Sequence, residues 1–223
     1  SSVPSYRDLH GTDPSQRADM TRMRVLSIDG GGIRGILPAM LVAEIERRCA
    51  APASQLFDLI AGTSTGGIIA MGLVLPGPDG RPAFAAADGV ALYAEHGPKI
   101  FARDGRDVIA SLGGVLGERY RADGLEEILS DVFGDRRLTD ALTDALLCSY
   151  EITRRETYVF SSHAARRDPD RDVLMREAVR ATTAAPTFFE PATVVDAGGS
   201  SHVLIDGAVY ANSPALCAYA EIA

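Results

Sequence analysis

Gly62-Thr63-Ser64-Thr65-Gly66 places a serine between two glycines in a G-x-S-x-G spacing. A short apolar segment, Phe57–Ala61, precedes it, and a longer one, Gly66–Leu75, follows. A strand that turns sharply into a helix is the setting in which such a serine can act as a nucleophile. Its flanking glycines remove the steric conflict of a strained turn, and the hydroxyl stands clear of the sheet end. The helix N-terminus behind it adds partial positive charge, which favours developing negative charge. The competing reading is an ordinary Gly/Ser-rich strand-to-helix turn.

Asp29-Gly30-Gly31-Gly32-Ile33-Arg34-Gly35 is a second chemically suggestive stretch, again between an apolar strand-like run and a helical one. Glycine-rich backbone there can point several N–H groups at one anionic oxygen. One such donor is worth about 3 kcal/mol in an acyl-transfer transition state. A rival reading takes Gly30-x-Gly32-x-x-Gly35 as a dinucleotide-binding turn. That requires a strand ending in an acid about 20 residues further on. Here that distance falls within a helix, at Glu46-Arg47-Arg48, and the next strand ends at the serine turn. Arg34 has two readings, a helper at an oxyanion or an anchor pinning the loop to a carboxylate.

The third stretch is Asp206-Gly207-Ala208, after the apolar run Val203-Leu204-Ile205. A carboxylate at a strand end can reach across neighbouring strand ends, and a serine nucleophile needs a base. In α/β-hydrolases a histidine follows the acid in sequence, yet no histidine follows Asp206. His10, His96, His163 and His202 all precede it and read as solvated surface residues. A two-residue Ser64–Asp206 arrangement is therefore expected.

The elements that must position these residues alternate. Arg24–Ile28 and Phe57–Ala61 read as buried strands, and Ile36–Arg48 and Gly66–Leu75 as helices. Leu37, Met40, Leu41, Ala43 and Ile45 form the apolar side of the first helix, with Pro38 in its first turn. Helices are also expected over Ala86–His96, Gly124–Phe133 and Arg171–Thr182. Ala145–Ile152 and Thr157–Ser161 read as adjacent strands, and Ser213–Ala223 opens a last helix. Strand and helix in alternation imply an α/β fold with a mostly parallel sheet covered on both faces. Core packing is the default for Ile68–Leu75, whereas Ala184–Phe189, broken by Pro186, could equally line an apolar channel.

Residues 1–22 are polar, carry two prolines and show no apolar periodicity, so we expect a flexible leader before one domain over 23–223. The chain stops within a helical pattern at Glu221-Ile222-Ala223, which suggests that the domain is truncated at its C-terminus. Its 223 residues, 46% hydrophobic, suffice for one buried core. A net charge of −8 argues against nucleic-acid partners and against simple adhesion to anionic membrane. Three widely spaced cysteines form no C-x-x-C pair, so thiols rather than a disulfide framework or zinc site are expected. The longest apolar run, Ile68–Leu75, falls short of the ~20 residues a membrane span needs. No secretory segment follows the N-terminus, which points to a cytoplasmic location.

These three motifs, in this order, resemble the patatin-like phospholipase family. DGGGIRG is similar to its oxyanion-hole loop, GTSTG to its nucleophile elbow with Gly62 and Gly66, and DGA to its catalytic-aspartate motif. The resemblance runs from about Arg24 to the last residue and includes Phe57–Ala61, Ala181–Phe189 and Asp206–Pro214. It implies a three-layer α/β/α sandwich and a Ser64–Asp206 dyad cleaving acyl esters of phospholipids or related lipids, with no metal or other cofactor. It further implies that the glycine loop, Gly30, Gly31 and Gly32 with help from Arg34, holds the oxyanion, and that Gly35 and Gly207 support the motifs. Transient contact with a membrane surface would follow from such a substrate. Two other functions remain open at this level: an acyltransferase using the same acyl-enzyme, and a non-catalytic nucleotide-binding module.

Overall fold

Three strands run parallel at the centre of the protein: Val25–Ile28 (β1), Leu59–Thr63 (β2) and Asp144–Glu151 (β3). The computed structural model describes residues 22–101 and 116–223, of which 96–101 and 116–123 are described by their backbone alone. Apart from Arg22, the expected leader lies outside the described residues. Every residue of β2 is buried, as a strand covered on both faces requires, which is why Leu59, Ile60 and Ala61 run on as apolar residues without alternation.

Glu156–Ser161 (β4) folds back antiparallel along β3. Ala192–Val195 (β5) and Ser201–Asp206 (β6) form a hairpin, and β6 is antiparallel to the end of β3. Four of the six strands, β1, β2, β3 and β5, thus point the same way, so the sheet is mixed and mostly parallel in direction. The short β5 has no counterpart in the sequence reading. It has four residues, follows Pro191 and alternates buried with exposed, as suits the edge of a sheet.

Helices cover both faces. On one face Ile60, Ala145 and Leu147 join Met71 and Val74 of Thr65–Val74 (α3) and Met175 and Val179 of Met175–Thr182 (α7) in the main core. Ile36–Cys49 (α1), Ala86–Phe101 (α4) and Leu116–Phe133 (α5) pack outside them. On the other face Leu59, Ala61, Leu146 and Cys148 meet Ala218 of Ala215–Ile222 (α9). Short helices at Ala53–Leu56 (α2), Ser162–Arg167 (α6) and Ala208–Ala211 (α8) complete the chain. The result is the expected three-layer α/β/α sandwich.

One expectation reverses. Helix α1 turns Ala39 and Val42 to the core and leaves Leu37, Met40 and Leu41 more than half exposed. Small residues let α1 and α4 approach closely: a methyl at Gly89 would lie 4.0 Å from the Ala39 Cβ. The larger apolar side chains are therefore turned outward. None of the described helices is long and apolar enough to cross a membrane.

At the far end of β3, Glu151 is fully buried and ties the β3–β4 turn to β6. Its carboxylate accepts from Thr153 N (3.1 Å) and Oγ1 (2.6 Å), Arg154 N (2.8 Å) and Val203 N (3.2 Å). Burial would raise its pKa, but these donors outweigh it and hold the group down at about 2. A carboxyl depressed in the folded state adds stability above its unfolded pKa of about 4.3, and this is lost as pH falls through the folded value. We expect Glu151→Gln to cost about 2 kcal/mol in urea unfolding at neutral pH, with the deficit shrinking as pH drops from about 4 towards 2. A deficit independent of pH would contradict the assignment.

Candidate active site

Ser64 sits between β2 and α3 with φ 56° and ψ −125°, a positive φ that non-glycine residues adopt only under strain. Close packing imposes this turn. A methyl on Gly66 would stand 2.1 Å from the Ile28 carbonyl oxygen of β1, and one on Gly62 would stand 2.3 Å from the Gly66 oxygen. Only hydrogen fits at either position. The Ser64 N–H donates to Thr182 Oγ1 (3.0 Å), which in turn donates to the Cys148 carbonyl (2.5 Å). The Ser64 carbonyl accepts from Gly67 N (2.8 Å), starting α3. On the far side Tyr93 of α4 buries its hydroxyl against Thr65, donating to the Thr65 carbonyl at 3.0 Å and pairing with Thr65 Oγ1.

Asp206 arrives from the opposite direction. β4 occupies one edge of β3 over Leu146–Glu151, so β2 and β6 must share the other edge, end to end. Thr63 pairs with Cys148 and Asp206 with Ser149, so the two strand ends meet at adjacent residues of β3. This register sets Ser64 beside Asp206, near enough for its hydroxyl to draw the carboxyl pKa down. Asp206 is 2% exposed, and its Oδ1 also accepts from Ala208 N at 2.8 Å. Burial raises its pKa above the usual carboxylate range, against the opposing pull of the bonds from Ser64 and Ala208. Gly207 is pressed onto Cys148, whose carbonyl oxygen a methyl would meet at 2.3 Å.

The glycine loop folds onto the same point. Gly31 and Gly32 line a cavity of about 330 Å³ together with Ser64, and their amides donate to no atom among the described residues. Gly30 differs: its N–H is taken by the Asn212 carbonyl at 3.0 Å. The expectation that Gly30 contributes an oxyanion donor therefore gives way to a packing role, since a methyl there would meet Asn212 Oδ1 at 2.6 Å and Ser64 Cβ at 3.2 Å. Arg34 is exposed and also lines the cavity, and its Nε donates to the Gly31 carbonyl at 3.3 Å. It braces the loop internally, and it has no carboxylate partner among the described residues. Gly35 packs its backbone against Thr65 and Tyr93.

The remaining cavity wall is mostly apolar, with Ile68, Leu125, Ala185, Phe188 and Phe189 beside Thr65 and Thr183. Ala184–Phe189 thus supplies channel lining, whereas Ile69 to Leu75 belong to the core apart from Gly72. A larger hollow of about 410 Å³, rimmed by Glu126, Arg176 and Glu177, shares no lining residue with it.

His202 is 6% exposed, not solvated as expected. Its nitrogens face Asp196 (3.3 Å) and Arg154 (3.2 Å), and its ring packs on Tyr158. His163, partly buried, lies 3.7 Å from Asp144, while the His10 and His96 side chains fall outside the described residues. Cys49, Cys148 and Cys217 carry no disulfide. The Cys148 thiol, pushed up to about 12 by burial and by the nearby Cys217 thiol, stays neutral and is no rival nucleophile. Among the described residues no three His, Cys, Asp or Glu side chains converge as a metal site. Thr182, Tyr93 and Asn212 escaped the sequence reading of the site. Thr182 and Asn212 lie in segments that resemble the family, and their side-chain roles appear only once β3 and the glycine loop are in place.

Fold and site together define a three-layer α/β/α protein whose serine elbow stands beside a buried aspartate and a glycine loop. The family model described as patatin-like phospholipase matches residues 26–219, and the chain belongs to that family. It is 36% identical to patatin-like protein 2 of Oryza sativa subsp. indica over 235 residues, covering 99% of this chain and 58% of that protein. It is 38% identical to patatin-like protein 1 of Arabidopsis thaliana over 212 residues (89% and 51%). With Patatin-T5 of Solanum tuberosum the identity is 37% over 196 residues (83% and 49%). The chain spans about half the length of these relatives. Among solved structures, VipD from Legionella pneumophila aligns with a TM-score of 0.49 and 15% identity over 84% of this chain and 46% of its own.

Tyr93→Phe removes the hydroxyl that satisfies Thr65 beneath the elbow. We expect it to lower stability by about 1–2 kcal/mol in urea unfolding. A variant as stable as the wild type would show that this contact does not hold the turn.

Proposed function

We propose that this chain is a lipid acyl hydrolase in which Ser64 is the nucleophile and Asp206 its base. The observation that carries the reading is a serine on a strained elbow set beside a buried carboxylate and lining a largely apolar cavity. Ser64 Oγ attacks the ester carbonyl carbon while its proton passes to Asp206. The Gly31 and Gly32 amides receive the oxyanion, with the Arg34 guanidinium adding positive charge at the rim. Collapse expels the alcohol, which takes the proton back from Asp206 and leaves an acyl-serine. Water then attacks the acyl group, giving its proton to Asp206, and release of the fatty acid returns that proton to Ser64.

A base works best when its pKa approaches the working pH, and the upward shift of Asp206 is in that direction. A nucleotide-binding role fits the glycine loop less well. Its free amides face Ser64, and the second parallel strand ends at the serine turn rather than in an acid.

Fatty acid released from p-nitrophenyl butyrate and from phospholipid vesicles tests the reading. Ser64→Ala and Asp206→Asn should each lower kcat/KM at least roughly a thousandfold. Full activity in the Ser64→Ala protein would sink it. In the wild type, activity should fall on acidification as Asp206 takes up its proton. The midpoint should lie above the ordinary aspartate value of about 3.9, and an acid limb at or below it would remove Asp206 as the base.

A further inference from the structure

The cavity beside Ser64 does not end the apolar space along α3. A second chamber of about 100 Å³ lies between α3, α4 and α5, lined by Gly72, Leu73, Phe84, Tyr93, Val132 and Phe133. Ile68 lines both chambers. Ser64, Ile68 and Gly72 recur every four residues on one side of α3. With a rise of about 1.5 Å per residue, the two chambers follow the helix for roughly 12 Å beyond the serine. Gly72 keeps the far one open, since a methyl there would touch nothing within 4 Å. Apart from exposed Asp88 at the rim, the walls are apolar. A partly open apolar hollow of this kind is suited to an alkyl group.

We infer that the second chamber is the distal acyl subsite, that Ile68 divides it from the chamber at Ser64, and that this pair sets the acyl-chain length the protein accepts. The inference rests on the reading of Ser64 as the ester-cleaving group and names its substrate class: long, unbranched acyl esters whose tail passes Ile68 towards Gly72. Ile68 is half-buried rather than locked in the core, so a rotamer change can admit the tail without unfolding α3.

Two opposite substitutions test this through kcat/KM for p-nitrophenyl butyrate, octanoate and palmitate. Gly72→Leu fills the far chamber and should lower the palmitate-to-butyrate ratio by about tenfold. Ile68→Ala joins the chambers and should raise that ratio by about tenfold, since each further methylene buried is worth roughly fourfold. Profiles of both variants that superimpose on the wild type, while all three proteins cleave butyrate, would overturn the subsite and leave the Ser64 reading intact. A wild type that cleaves no ester would instead refute the reading of Ser64. The subsite is then judged by displacing parinaric acid with palmitate in the Ser64→Ala background. Palmitate binding weakened about tenfold by Gly72→Leu supports it, and unchanged binding rejects it.

Discussion

The Ser64 backbone, held at positive φ, is the constraint around which the rest of the site is arranged. Such a conformation costs on the order of 1–3 kcal/mol and persists only where its surroundings over-determine it. Here they do so from several sides. Thr182 takes the Ser64 N–H, Thr63 Oγ1 donates to the Ala211 carbonyl at 2.8 Å, and Tyr93 grips Thr65. The carbonyls of β1 press on Gly66 from below. Each tie comes from a different element, α7, α8, α4 and β1, so the turn draws on the whole fold. Strain at one residue is the reason a chain of this size places so many of its specific contacts within two residues of Ser64.

Two carboxylates on the β3–β6 pairing are buried alike but differ in the donors that surround them. Glu151 and Asp206 lie two register steps apart and are both almost inaccessible to water. Glu151 is surrounded by donors from Thr153, Arg154 and Val203, which favour the charged form and hold it ionised. Among the described residues the Asp206 carboxylate accepts from Ala208 N, with the Ser64 hydroxyl close by, so the burial penalty prevails and its pKa rises. The difference lies in the number of N–H and O–H groups aimed at each carboxylate, not in depth of burial. One group anchors a turn, and the other keeps a raised pKa.

Much of this was legible in the sequence because short-range rules produced it. The serine turn, the glycine loop and the buried runs of β1 and β2 follow from periodicity and from glycine at points of close approach. What escaped depends on partners distant in sequence. Four residues after a proline carry too little pattern to announce β5. The expected helix at Arg171 begins only at Met175, because Asp172 is drawn aside to accept from Arg137 Nε (2.8 Å) and Thr139 Oγ1 (3.0 Å). The apolar stripe of α1 was plain, but hydrophobicity alone does not say which of two apolar faces a neighbouring helix covers. Gly30 resembled its neighbours in every local respect, and only the arrival of Asn212, 182 residues later, removed its amide from the pool of donors.

If Ser64 and Asp206 work as the proposed pair, topology explains why no histidine is needed between them. In a serine–histidine–acid triad the imidazole spans the distance between hydroxyl and carboxylate and carries the proton between them. Here β2 and β6 meet head-on along one edge of β3, so the two strand ends are already adjacent and no span remains to bridge. The carboxylate must then take up the positioning that a triad divides between two residues. Backbone supplies it: Ala208 N fixes one oxygen, while Asp206 N donates to the Ala184 carbonyl at 3.0 Å and Gly207 is pressed onto Cys148. A rigid main chain leaves little freedom to Asp206. Through Ala184, its surroundings reach back into the segment that lines the cavity.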